Sequence, residues 1–351
     1  MSDRGQLSAP GSLEAGVSVA PDAPRLPDQP LAELAAQYGL RPSGARPPLL
    51  TYVRMLWQRR HFIVGYATAR NISMYTEARL GQLWQVLTPL LNAGVYYLVF
   101  GLLFQASRGV RHYPAFLVAG VFMFAFTERS IVTGSNVMRA NLQLIRALYF
   151  PRASLPLAYV LVELQQTLLS LVVLFAIMIG SGEHLTLYWF LMVPTMVLQT
   201  MFNTGAALIV ARMGGSVQDV SELIPFLLRV SRYFCGVMYM VTTLPAKIPE
   251  WALKVLSLNP AAVYISLTRV SLMWTYRADS PGNQPYNAAR CALFHRDPGG
   301  GPHGSNAMLQ AYCHPIVTNP QLWAWAVGWG VVFLALGLVF FWQAEHKYGR
   351  G

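Results

Sequence analysis

The chain has 351 residues, of which 54% are hydrophobic and only 12% are charged, and its mean hydropathy is +0.38. A soluble chain of this length would carry about twice that charged fraction, so the composition excludes an ordinary water-soluble globular protein. The net charge of +11 does not indicate nucleic-acid binding. Many of the arginines flank apolar segments, where they orient a protein in the membrane and contact anionic lipid.

Two polar or amphipathic regions come first in the chain. Residues 1–48 are rich in Pro, Ala, Gly and Asp and lack an apolar run of signal-peptide length, so we predict an uncleaved, mostly disordered tail. In residues 49–82, aromatic and aliphatic side chains alternate with arginines, as around Trp57, Arg59 and Arg60. This pattern is typical of helices lying on a membrane surface; a solvated linker next to the membrane is the alternative.

Six segments are apolar over the roughly 20 residues that a helix needs to cross a bilayer. They are residues 83–104, 115–137, 157–179, 187–210, 223–241 and 322–342, followed by a tail at 343–351. We therefore predict an all-α, multi-pass protein of the cell membrane. Basic residues concentrate before the first span, between the second and third, after the fourth and at the end of the chain. The positive-inside rule makes these regions, and both termini, cytoplasmic.

The segment between the second and third spans, residues 139–156, reads RANLQLIRALYFPRASLP and carries three arginines and no acid. Leu142, Ile145 and Tyr149 recur at spacings of three and four, which places them on one face of a short helix. Pro151 ends that helix. A short amphipathic helix between two spans is either a docking surface for a partner or a lipid-surface element.

The long segment before the last span has two parts. Residues 243–274 are apolar but interrupted by prolines, including the Asn259–Pro260 pair, so we predict two half-helices that enter the outer leaflet and return. One full additional span is the alternative. Residues 276–319 are polar and contain Cys291 and Cys313. In an external loop these two cysteines are expected to form a disulfide, and the nearby histidines match no metal site.

Five charged residues fall within the predicted spans: Glu128, Arg129, Glu163, Arg229 and Arg232. The helical rise places all of them about 10 to 15 Å from the cytoplasmic edge. Charges inside a membrane are costly and mark functional candidates. We expect the two glutamates to pair with Arg229 and Arg232 along a translocation path; ion pairs that only stabilise the bundle are the alternative.

Aromatic residues also lie within the spans and are candidates for stacking against a sliding sugar chain. They are Tyr96, Tyr97, Phe100, Tyr233, Phe234 and Tyr239. Packing or membrane-interface roles are the alternative reading of these residues.

The sequence lacks three motifs of catalysis and nucleotide binding. It contains no G-x-x-x-x-G-K-[ST] phosphate loop, no G-x-S-x-G turn and no H-E-x-x-H helix. A transporter without a cofactor of its own is therefore favoured over a membrane enzyme of lipid-linked sugar metabolism.

Three stretches resemble permease subunits of the ABC-2 class of exporters, in the Wzm-like branch that moves lipid-linked polysaccharides such as O antigen and teichoic acid. They are ARLGQLWQVLTPL at 78–90, NLQLIRALYFPRASLP at 141–156, and Gln218-Asp219-Val220. The run QVLTPLLNAGVYYLVFG at 85–101 is further similar to actinobacterial members that export cell-wall galactan.

The resemblance implies a homodimer of six-span subunits, bound to two Wzt-like ATPase subunits that hold ATP and magnesium. Residues 49–82 would supply an interface helix, 139–150 a coupling helix and 243–274 a periplasmic gate. The residues expected to dock on the ATPase are Leu142, Ile145, Arg146, Tyr149, Phe150, Trp57, Arg59 and Arg60. The implied cargo is a polyprenyl-linked polysaccharide; an exporter of drugs or small lipids in the same class is the competing reading.

Overall fold

The computed structural model describes residues 48–74, 81, 83–103, 112–147, 150–183, 185–239, 249–273 and 319–344. Throughout these ranges the secondary structure is helical, and no strand occurs in them. Among the predictions that lie outside the described residues are the disordered tail over 1–48, of which only Pro48 is described, the disulfide between Cys291 and Cys313, and the position of Tyr149.

Eleven helices make up the described part of the chain. They are α1 Leu49–Gln58, α2 Arg60–Ser73, α3 Leu83–Tyr96, α4 Tyr113–Ala140, α5 Leu142–Ala147, α6 Ser154–Gly180, α7 Met192–Ser216, α8 Gln218–Phe234, α9 Glu250–Leu258, α10 Pro260–Leu272 and α11 Asn319–Ala344. A π-helical stretch, Tyr97–Leu103, extends α3, and a 3₁₀ turn, Leu187–Leu191, leads into α7.

Five helical segments in the described residues are long and apolar enough to cross a membrane. They are Val86–Leu103, Tyr113–Ala140, Ser154–Gly180, Leu187–Ser216 and Pro320–Ala344. Each overlaps one of the predicted spans. The prediction of an all-α, multi-pass membrane protein is therefore confirmed.

The predicted span at 223–241 has different bounds in the structure. Helix α8 begins at Gln218 and ends at Phe234, so it has 17 residues, and at about 1.5 Å per residue it is shorter than a bilayer core. The chain turns immediately afterwards, and Gly236 has a φ of +65°. Glycine adopts this left-handed conformation without the steric cost that a side chain adds, so Gly236 permits the helix to end there.

Helices α9 and α10 form a bent pair. They meet at an angle of 76°, and the break falls at the predicted Asn259–Pro260 pair. The Asn259 side chain accepts a hydrogen bond from the Ala261 amide and so caps α10. With 9 and 13 residues, neither helix alone reaches across a bilayer. Residues 249–273 therefore do not form a straight span.

Helix α4 is the centre of the bundle. It packs against α3, α6, α7, α8 and α10, and its side chains Phe116, Phe122, Phe124 and Phe126 are almost completely buried. The amphipathic helices α1 and α2 lie beside this bundle, α1 against α11 and α2 against α6. This arrangement brings both of them near α5, which follows α4 directly.

Candidate functional site

Helix α1 has one buried and one open face. Tyr52 and Leu56 are buried, whereas Leu50, Val53 and Trp57 are exposed. Trp57 is 70% exposed, and the Arg60 guanidinium lies 5.5 Å from the centroid of its ring. Three residues predicted to dock on a partner, Trp57, Arg59 and Arg60, therefore share an open surface that is both apolar and basic.

The remaining predicted docking residues, on α5 and just after it, fall into an exposed group and a packed group. Leu142 and Arg146 are exposed, and Leu142 keeps 48% of its surface. Ile145 and Phe150 instead pack against the hydrophobic cluster beneath, with the Phe150 ring 5.7 Å from that of Phe62 on α2. Leu142 and Arg146 are thus available to a partner, while Ile145 and Phe150 fix α5 to the bundle.

Asn141 joins α4 to α5 and is the centre of a hydrogen-bond cluster that the sequence analysis did not identify. The Tyr66 hydroxyl donates to Asn141 Oδ1 at 2.9 Å. Asn141 Nδ2 donates to the Val137 carbonyl at 2.8 Å and to the Tyr159 hydroxyl at 3.1 Å. The position of a polar residue between two helices, at the start of a docking segment, is the sequence signal that could have indicated this cluster.

Amide side chains hold α2 on α6. Asn71 Nδ2 donates to Gln165 Oε1 at 3.2 Å, and Gln165 Nε2 donates to Thr68 Oγ1 at 3.1 Å. Gln166 Nε2 donates to Asn71 Oδ1 at 3.4 Å. The surface helix α2 is therefore attached to a membrane span by side-chain hydrogen bonds as well as by apolar packing.

The charges within the bundle form two ion pairs among the described residues, and one partner differs from the prediction. Arg232 on α8 pairs with Glu128 on α4 as expected, and it also donates to the Tyr96 hydroxyl at 2.6 Å. Glu163 does not pair with Arg229 or Arg232; its partner is Arg129, with Arg129 Nε 3.1 Å from Glu163 Oε2. The reason is that α4 packs directly against α6, whereas Arg229 lies on the exposed side of α8.

The predicted path aromatics also separate into two groups. Tyr233 and Phe234 are exposed at the end of α8. Tyr96, Tyr97, Phe100 and Tyr239 are only partly exposed and pack against the core around α4. Among these six residues, only Tyr233 and Phe234 are therefore exposed enough to contact a passing sugar chain.

Arg269 on α10 is a buried charge that the sequence analysis missed. Its guanidinium donates to the carbonyls of Gly236 at 2.9 Å, Val237 at 2.8 Å and Phe116 at 3.3 Å, and it stacks on the Phe116 ring. It thereby connects α10 to the start of α4 and to the turn after α8. Its place within an apolar segment was a sufficient signal, by the rule that identified the other charges.

Metal-binding side chains are not gathered at these sites. Within the described ranges, no group of three or more His, Cys, Asp or Glu residues is arranged to hold a metal ion. The described residues of the site instead form exposed apolar and basic surfaces and ion pairs between helices.

Comparison with known proteins supplies the family. Residues 64–273 match the ABC-2 type transporter family. The chain is 27% identical over 192 residues to the O-antigen export system permease protein RfbA of Klebsiella pneumoniae, covering 54% of this chain and 72% of that protein. It is 24% identical over 230 residues to RfbA of Myxococcus xanthus, covering 66% and 84%. It is 25% identical over 207 residues to the polysialic acid transport protein KpsM of Escherichia coli, covering 58% and 77%. The family match extends over more than half of the chain and includes four of the five candidate spans found in the described residues. This protein therefore belongs to the ABC-2 type transporter family and is a multi-pass membrane component of a transporter.

Proposed function

We propose that this chain is the permease subunit of an ATP-driven exporter that moves a lipid-linked polysaccharide from the cytoplasmic to the outer side of the cell membrane. The observation that carries the proposal is that α1, α2 and α5 contribute side chains to one hydrophobic cluster, while Trp57, Leu142 and Arg146 beside it are open to a partner. The relatives named for O-antigen export and for polysialic acid transport support a polysaccharide as cargo.

The partner that fits this surface is a separate ATPase subunit. The sequence has no phosphate loop, so ATP and magnesium belong on another chain. Exposed apolar side chains next to arginines suit a protein cleft with acidic walls. In this arrangement the segment 139–150 is the coupling helix, and both termini lie on the cytoplasmic side with the ATPase.

A second copy of the chain is proposed to cover α8. Leu223, Phe226, Leu227 and Val230 are exposed on this helix, and the exposed Arg229 lies among them. Lipid can cover the apolar side chains but cannot solvate the cation. If this face is shared between two copies, or lines a water-containing path between them, the apolar side chains are covered and the cation of Arg229 is solvated. Such an arrangement would place Tyr233 and Phe234 where a sugar chain passes.

The cargo is proposed to be polyprenyl-linked galactan, on the resemblance of residues 85–101 to galactan exporters. One observation favours the alternative of a small lipid or drug. A cavity of about 660 Å³ between α6 and α7 is lined by apolar side chains such as Leu168, Phe175 and Val193, and it suits a hydrocarbon group better than a sugar.

Conditional depletion of the protein, followed by analysis of lipid-linked glycans, tests the proposal. We expect full-length polyprenyl-linked polymer to accumulate inside the cell, because synthesis continues while export stops. Wild-type protein should reverse the accumulation, whereas Leu142→Asp should not, since it places a charge on the open docking face. Unchanged glycans after depletion would contradict polysaccharide export and favour the small-lipid alternative.

A further inference from the structure

Helix α2, in the interface region, and the proposed coupling segment 139–150 are joined inside this chain by the ring contact of Phe62 with Phe150 and by a hydrogen bond between Tyr66 and Asn141. We infer that Asn141, held by Tyr66 and Tyr159, is a positioning residue that makes α2 and α5 move together when the ATPase acts. This inference rests on the proposed function, because it assigns to Asn141 the transmission of ATPase motion to the spans.

Helix α5 needs such a link because it is too short to hold its own position. It has six residues, and isolated helices below about 12 residues are marginal in water. Its orientation must therefore come from its packed side chains and from its junction with α4. Asn141 lies at that junction, where φ is −120° and the helical path of α4 is interrupted.

The hydrogen bonds of Asn141 permit only one orientation of its amide. The Val137 carbonyl can only accept, so the nitrogen must face it. The oxygen then faces Tyr66, whose hydroxyl donates to it. Burial raises the pKa of Tyr66 to about 12, and the neighbouring Tyr159 adds to this shift. The Tyr66 hydroxyl is therefore protonated near neutral pH and can donate to Asn141 Oδ1.

Three helices meet through this one amide. Tyr66 belongs to α2, Val137 to α4 and Tyr159 to α6, and the rings of Tyr66 and Tyr159 lie 6.3 Å apart. The hydrogen bonds of Asn71 with Gln165 and Gln166 attach α2 to α6 separately. Those bonds can hold α2 in place without Asn141, but they do not connect it to α5.

The inference is tested in the complex of the permease with its ATPase, using Tyr66→Phe and Asn141→Ala. Three quantities are measured: ATPase recovered with the permease, ATP hydrolysis by the purified complex, and cell-surface polysaccharide in depleted cells that carry each variant. We expect ATPase recovery and ATP hydrolysis to stay within about twofold of wild type. The ratio of cell-surface polysaccharide to ATP hydrolysis, each taken relative to wild type, should fall roughly fivefold, which is the factor that one lost hydrogen bond makes in an equilibrium.

Two matched variants separate coupling from stability. Thr68→Val removes a hydrogen bond between α2 and α6 at an exposed position, so it should leave the ratio unchanged. Asn141→Asp keeps the acceptor for the Tyr66 hydroxyl but loses the donor to the Val137 carbonyl and the Tyr159 hydroxyl, so it should retain more of the ratio than Asn141→Ala. Tyr66→Phe keeps its ring, so it tests the link even if Asn141→Ala proves unstable.

The outcomes distinguish this inference from the proposed function. If the wild-type complex neither hydrolyses ATP nor supports polysaccharide export, the proposed function fails. If the wild-type complex does both and Tyr66→Phe and Asn141→Ala retain the full ratio, the function stands and the role of Asn141 is overturned. A loss of ratio in Thr68→Val as large as in Tyr66→Phe would also overturn it.

Discussion

Glu128 and Arg129 are neighbours in the sequence but interact with different helices. Glu128 pairs with Arg232 on α8, and Arg129 pairs with Glu163 on α6. Successive helical residues point about 100° apart, so one position on α4 can contact a helix on each side. The two pairs connect three helices at one depth, and the charge of each residue is balanced locally.

The pairing predicts the outcome of charge reversal. Glu128→Arg alone should lower the free energy of unfolding by roughly 1 to 3 kcal/mol, because it leaves Arg232 partly buried opposite a like charge. Combining it with Arg232→Glu should restore most of the loss, as measured by thermal unfolding of the purified permease in detergent. Glu163→Arg serves as the control. Adding Arg229→Glu to it should not restore the lost stability, because Glu163 and Arg229 are not paired. Equal recovery in both double variants would contradict the assignment.

At the scale of elements, α7 and α11 approach each other more closely than side chains would permit. A Cβ at Gly205 would overlap the Phe333 carbonyl, and a Cβ at Gly337 would overlap the Gly205 backbone. Small residues at such contacts are a common means of packing membrane helices, because lipid supplies no hydrophobic drive for their association. The close approach of this pair thus depends on two residues with no side chain.

Substitution of these glycines tests the contact. Gly337→Ala should lower the stability of the purified permease by roughly 1 to 3 kcal/mol, because the added methyl group must separate two backbones. Gly328→Ala on the same helix is the matched control, since a Cβ there meets no atom within 4 Å. It should leave the midpoint of thermal unfolding unchanged or slightly raised. Equal effects at the two positions would show that helix propensity, and not the contact, is responsible.

At the scale of the whole molecule, the exposed faces differ in chemistry. The open side chains of α11, such as Val327, Val331 and Leu336, are apolar and suit lipid. The open face of α8 combines Leu223 and Leu227 with the cation of Arg229, and lipid is a poor environment for it. This contrast is the physical basis for the proposal that a second copy of the chain covers α8.

Cysteine cross-linking tests that placement. In a chain whose three native cysteines are replaced by serine, Leu227→Cys should yield a covalent dimer in membranes, because residues near a twofold axis meet their own copies. Val331→Cys on α11 has similar exposure and should remain monomeric on the same gel. Dimers from Val331→Cys alone would move the interface to the other side of the bundle.

The sequence by itself determined the class of the protein and most of its elements, because hydrophobic segments about 20 residues long and flanking arginines are local properties. The break at Asn259–Pro260 was predictable for the same reason, since proline acts on its own helix. The end of α8 was not predictable. The sequence stays apolar beyond Phe234 as far as Val241, and the turn at Gly236 is held by a hydrogen bond from Arg269 on α10, which is distant in the sequence.

Only the tertiary structure decided which of the predicted residues meet. Depth along the spans allowed Glu163 to pair with any of three arginines, and the packing of α4 against α6 selected Arg129. The same holds for Asn141, which begins the stretch 141–156 and gains its partners only when Tyr66 and Tyr159 approach from other helices. Pair contacts between distant residues depend on how two helices pack and cross, and this is set by the side chains of both helices together and not by either sequence alone.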